Sequence, residues 1–110
     1  MEELTKSQRK ALRDFAAQVY EIEASQVLEE LESDFQKWRH KEIDSDALFQ
    51  LIHRFHQVRS KELWSTYQAL KPPEVVARGV ALQFIKESDL PGELRDHLAP
   101  LIAFFSGNVA

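Results

Sequence analysis

His53 and His56 stand three residues apart, with Arg59 one turn further on. On a helix that spacing puts neighbouring side chains on one surface, so both imidazoles can reach one metal ion or one substrate. Two ligands are too few, and a carboxylate must come from elsewhere; Glu30 and Asp34 are the nearest in outline. The alternatives weigh against a metal. Carboxylate-bridged helical sites pair a Glu-x-x-His on each of two helices, and here Gln50 stands where that Glu would be. The His-Glu-x-x-His of zinc hydrolases is absent as well. A solvated or half-covered His pair among acidic neighbours meets the same pattern. Ser60, one turn from His56 and close to Glu62, looks like a triad but shares one helix with both and lacks an oxyanion hole.

Arg59 falls between Phe55 and Leu63 in an apolar stripe, where an unpaired charge is expensive. It either runs out to water along its methylenes, pairs with an acid such as Glu23 or Glu30, or serves an anionic ligand. His53, His56, Arg59 and Glu30 are therefore the candidate polar site. The chain has no Gly-rich phosphate loop, no Gly-x-Ser-x-Gly and no cysteine, so thiolate chemistry and disulfides are excluded. No catalytic residue, metal or cofactor is assigned, and a non-enzymatic protein is expected ahead of a helical enzyme built on those four side chains.

These residues lie on elements that the pattern predicts to be helical throughout. From Thr5 to about His40 there is neither Gly nor Pro, and good helix formers dominate. Thr5 or Ser7 can cap. Two apolar stripes run along this segment, Leu12, Phe15, Ala16, Val19, Ile22 and then Ala24, Val27, Leu28, Leu31, Phe35, Trp38, rotated from each other at about 100° per residue. The two halves are thus expected to face different neighbours along one unbroken helix. Ile43-Asp44-Ser45-Asp46 starts a second helix, with Asp44 as cap, running to about Leu70 before Lys71-Pro72-Pro73 stops it. A third is predicted from Pro73 to about Glu87, with Gly79 inside it as a point of close helix approach, and a fourth through Leu94, Leu98, Leu101 and Phe105, with Pro100 as a kink or fresh start. The tail beyond Asn108 is expected to fray.

The fold expected is all-α, a four- to five-helix bundle in one domain over 1–110. It is built on a long antiparallel hairpin (5–70), followed by shorter helices (73–105). The acidic run Glu21, Glu23, Glu29, Glu30, Glu32, Asp34 and the basic run Arg54, Arg59, Lys61 would face each other across a turn near Lys41–Asp44, with 30 opposite 54 and 26 opposite 58.

A net charge of -4 argues against nucleic acid, and the Lys6, Arg9, Lys10, Arg13 cluster reads as a solvated face. The start, Met1-Glu2-Glu3, lacks the design of a secretory signal, and no apolar stretch approaches a membrane span; a cytoplasmic protein that avoids membranes is the expectation. Function is expected to lie in protein–protein contact, most simply as a homodimer. Leu12, Phe15, Val19 and Ile22 form the candidate interface ribbon unless later helices cover it, and Trp64, off its stripe, is a candidate anchor.

Overall fold

The structure is a computed structural model and describes residues 4–108. The start Met1–Glu3 and the expected fraying of Val109 and Ala110 lie outside the described residues. Among the described residues there are five α-helical segments: α1 (Lys6–Arg39), α2 (Ser45–Arg54), α3 (Ser60–Ala69), α4 (Pro72–Ala81) and α5 (Gly92–Asn108). A π-helical turn (Phe55–Arg59) joins α2 to α3, and a 3-10 turn (Glu87–Asp89) precedes α5. No strand occurs among the described residues, and no helix among them is long and apolar enough to cross a membrane.

Local chemistry sets the boundaries. Thr5 and Gln8 form a capping box at the start of α1: the Gln8 N–H donates to Thr5 Oγ1 at 3.1 Å, and the Thr5 N–H donates to Gln8 Oε1 at 2.8 Å. α1 then runs unbroken for 34 residues. It ends where Lys41 takes φ 62, with Glu42 N–H donating to the Lys37 carbonyl and Lys41 N–H to that of Trp38, a Schellman ending without glycine. Asp44 caps α2 through Oδ1, which accepts from the Ala47 N–H at 2.8 Å. Pro72 and Pro73 open α4, where a missing N–H costs nothing.

α4 is shorter than its apolar pattern predicts. It stops at Ala81 instead of near Glu87, because Gln83 turns left-handed (φ 65) and the Phe84 and Gln83 N–H groups close back on the Gly79 and Val80 carbonyls. Phe84 and Ile85 therefore lie beyond the helix, yet Ile85 still packs on the core. Pro100 sits inside α5 without ending it.

Packing divides the chain into two compact units. The first takes the chain up to Ile22 and from Leu70 onward; the second is Glu23–Ala69. The division falls between the two apolar stripes of α1, as their rotation leads one to expect.

In the first unit, Leu12, Val76, Ala77, Leu90, Leu94, Leu98 and Ile102 form the buried core, with Phe15, Ala16, Val80 and Phe105 packed against it. Burying a Leu or Val side chain stabilises by about 1.5–3 kcal/mol, so this cluster is the main source of cohesion in the unit. Val19, fully buried, lies under Gly79: a Cβ built on Gly79 would stand 2.5 Å from Val19 Cγ2 and 2.9 Å from Cγ1. Only a residue without a side chain lets the two backbones come this close.

The second unit has a much thinner core. Among the described residues of Glu23–Ala69, only Val27 and Leu48 are buried. Trp38 Nε1 donates to Ser45 Oγ at 3.1 Å across the turn, and the Tyr67 hydroxyl donates to Glu23 Oε1 at 2.7 Å.

Candidate functional site

The π-helical turn decides what becomes of the candidate polar residues. An uninterrupted α-helix turning about 100° per residue would carry Leu63 and Tyr67 about 60° and 100° away from the direction of Leu48. One extra residue in a wider turn winds the rest back by about 100°, which returns both to the side of Leu48 and Ile52. The Ser60 N–H donates to the Phe55 carbonyl, the five-residue span that defines the turn. By the same rotation Arg59 leaves the middle of the stripe, where its sequence position had placed it, and moves to the edge.

There Arg59 meets Glu30. Its Nε donates to Glu30 Oε2 at 2.9 Å and Oε1 at 3.2 Å, and Nη2 lies 2.9 Å from Oε2, a forked ion pair. Nη1 stands 3.5 Å from Glu62. The Arg59 side chain is 38% exposed and that of Glu30 54%, so water screens the pair. Hydrogen bonding to Glu30 raises the guanidinium pKa; desolvation opposes this, and the charges of Glu30, Glu62 and Glu23 add to the rise.

The expected juxtaposition of Glu30 with Arg54 is thus replaced by Glu30 with Arg59. Helical side chains lean toward the N-terminus of their own helix, so Glu30 reaches away from the turn at residues 40–44 while Arg59 reaches back toward it. Partners that meet tip to tip are therefore further apart in sequence than a simple fold-back places them. Around the pair lies an open groove of about 300 Å³, lined also by Leu31, Leu51, Phe55 and Val58 and by Asp34 and Arg54.

His53 and His56 do not join this groove. Both are exposed, and neither lines it. Ser60 donates its hydroxyl to the His56 carbonyl at 2.8 Å, an interaction within the helix that leaves the suggested Ser–His–Glu arrangement unassembled. No three His, Cys, Asp or Glu side chains come together to hold a metal among the described residues.

Of the apolar candidates, Leu12 and Val19 are covered within the chain (2% and 0% exposed), Phe15 packs on the same core, and Ile22 is half-buried. The ribbon is therefore closed at Leu12 and Val19 by residues of its own unit, and these two have no free surface to offer. Trp64 does: it is 65% exposed. Leu28 and Phe35, which spacing placed in the second apolar stripe of α1, are exposed instead, as are Phe49, which helical spacing assigned to the core, and Val58. Their signal was the excess of apolar positions beyond the one stripe that each helix needs. No family model matches this chain, and neither a curated protein nor a solved structure matches it.

Proposed function

We propose that the protein acts through protein–protein contact as a non-enzymatic homodimer, with Glu23–Ala69 as the docking unit and a second copy of the chain as its partner. The observation that carries this is the mismatch inside that unit: two buried apolar residues against Leu28, Phe35, Phe49 and Trp64 left open. Read as an antiparallel hairpin, the unit gathers these four on one side. From Val27, Leu28 and Phe35 lie about 100° and 80° round α1; from Leu48, Phe49 lies about 100° round α2 in the same sense. The π-helical turn sets Trp64 at about 60°, on that side too. In antiparallel helices equal rotations lead to the same face. Together the four leave on the order of 400 Å² of apolar surface uncovered, as much as the largest patch of an ordinary monomer.

Charge favours a second copy as occupant. Beside the α1 half of the face stand Glu29 and Glu32, which with Ser25 and Leu28 line a shallow depression; beside the α2–α3 half stand His53 and Lys61. A two-fold axis parallel to the helices lays α1 of one copy on α2–α3 of the other, acid against base. The alternative axis, across the helices, sets α1 on α1 and acid on acid. The result is a four-helix layer pair whose core is supplied by both chains.

Sedimentation equilibrium at micromolar concentration tests this. A dimer that Phe49→Asp and Trp64→Asp each convert to a folded monomer supports the proposal. A wild-type monomer, or a dimer indifferent to both substitutions, refutes it. Both side chains are largely exposed, so the variants keep the fold, which far-UV circular dichroism checks.

A further inference from the structure

The first unit carries a cavity of a different kind, and nothing in the proposed self-association uses it. It measures about 280 Å³. Its apolar lining is Leu4, the buried Leu12, and Pro72 and Pro73 at the head of α4. Three cations stand round it: Arg9 and Arg13, one turn apart on α1, and Lys71, the residue before the two prolines. No carboxylate is among the described lining residues. The fold leaves much of this charge unused. Arg9 donates one bond, from Nη1 to the Leu4 carbonyl at 2.6 Å, and neither Arg13 nor Lys71 forms an ion pair among the described residues. Like charges one turn apart on a helix repel, and among the described residues no carboxylate pairs with Arg13 to offset this.

We infer that this cavity is a binding site for a small single-chain amphiphile with an anionic head, of which a medium-chain carboxylate is the simplest form. The chain lies on Leu4, Leu12 and the proline rings; the head sits between Arg13 and Lys71, with Arg9 beside it. Size supports a small molecule. The cavity is just below the usual ~300–1,000 Å³ of ligand sites, room for one short chain, whereas a bound peptide helix or strand needs a groove several residues long. Recognition rests on the side chains. Pro72 and Pro73 have no N–H, and the Lys71 N–H is taken by Glu74 Oε1 at 2.9 Å, so the start of α4 contributes its dipole and not its donors. The placement also accounts for a basic cluster on a chain of net charge -4, which its sequence setting assigned only to solvent.

The test is titration of the full chain with decanoate below its micellar concentration, followed by amide and methyl NMR shifts. Saturable shifts centred on Leu4, Leu12, Arg13 and Lys71 are expected. Arg13→Gln and Lys71→Gln together should weaken binding by about tenfold with the thermal melt unchanged, and decanol, equal in chain length but uncharged, should bind about tenfold more weakly than decanoate. Equal binding of decanol and decanoate, an indifferent double variant, or shifts centred on Phe49 and Trp64 would overturn the assignment. A second arm separates a free ligand from a lipid surface: the protein is sedimented with phosphatidylserine vesicles. Vesicle binding without any decanoate response would also overturn it.

Discussion

Replacing Gly79 by alanine sets two known effects against each other at one atom. Inside a helix alanine is favoured over glycine by about 1 kcal/mol, so at an open position Gly79→Ala would stabilise. At this position the new Cβ would sit 2.5 Å from Val19 Cγ2, 2.9 Å from Cγ1 and 3.2 Å from Cβ. Carbon atoms rest comfortably at about 3.5–4.0 Å, so the overlap is roughly 1 Å. Val19 cannot swing aside: it is fully buried, and β-branching holds its χ1. Overpacking of this kind costs about 1–3 kcal/mol, which leaves a net loss of about 1 kcal/mol for Gly79→Ala. Val19→Ala removes both offending methyl groups and should lose about 2 kcal/mol through transfer and cavity. In the double variant the two contacts under 3 Å are gone and only the 3.2 Å approach of Cβ to Cβ remains, so most of the helix gain is realised and the new methyl fills part of the cavity. Its loss should be about 1 kcal/mol where additivity predicts about 3, a coupling of about 2 kcal/mol. Urea denaturation of the four proteins, followed by circular dichroism, measures it. A Gly79→Ala variant more stable than wild type, or a cycle that closes to zero, would refute the close approach of α1 and α4.

The half-exposed pair of Glu30 and Arg59 should contribute modestly: Arg59→Ala is expected to cost about 0.5–1 kcal/mol in urea titrations, and less in high salt. Because the Arg59 pKa is raised in the folded state, its contribution is fully present below the ordinary arginine range and is lost only as pH climbs through the raised value; exchanging Arg59 for Lys should therefore leave the pH dependence of stability near neutrality unchanged. Lys41→Gly and Gln83→Gly should each stabilise by about 0.5–1 kcal/mol, since both positions are left-handed, and a loss in thermal melts would contradict the Schellman endings. Thr5→Ala removes the hydroxyl that caps α1 and should cost about 1 kcal/mol, read by the same melts.

Much of this architecture was legible because its signals are local. Asp44 before Ser45-Asp46 states its cap outright, Thr5 is one of two caps, with Ser7, that the start of α1 offers, and Gly79 in the apolar run of α4 announces a close neighbour. The two stripes of α1 are a phase relation, and the unit division between Ile22 and Glu23 respects it. Other features depend on what the backbone does against propensity. Lys41 and Gln83 adopt a conformation that favours glycine, so the end of α4 at Ala81 had no residue to mark it. The widened turn at Phe55–Arg59 leaves two traces, the eight-residue step from Phe55 to Leu63 and an arginine in mid-stripe, and neither by itself specifies an extra residue in the turn. The charge pairing was legible in kind, acid on α1 with base beyond the turn, and not in register, because side-chain lean moves the partners. The exposure of Leu28, Phe35, Phe49 and Trp64 is a property of what remains uncovered, which no single stripe reports.

The extra residue in the turn Phe55–Arg59 makes that stretch a natural place for a change in chain length. Removing one residue, Gln57 for instance, would let the run 45–69 become a plain α-helix in which Leu48, Ile52, Leu63 and Tyr67 keep their common direction. Elsewhere in that run a deletion would throw every later side chain about 100° out of phase. Insertions and deletions are usually absorbed by loops; here a helix interior has the same tolerance, at one address. Chains that share this ancestry are expected to differ there by a single-residue gap, with their helices otherwise in step.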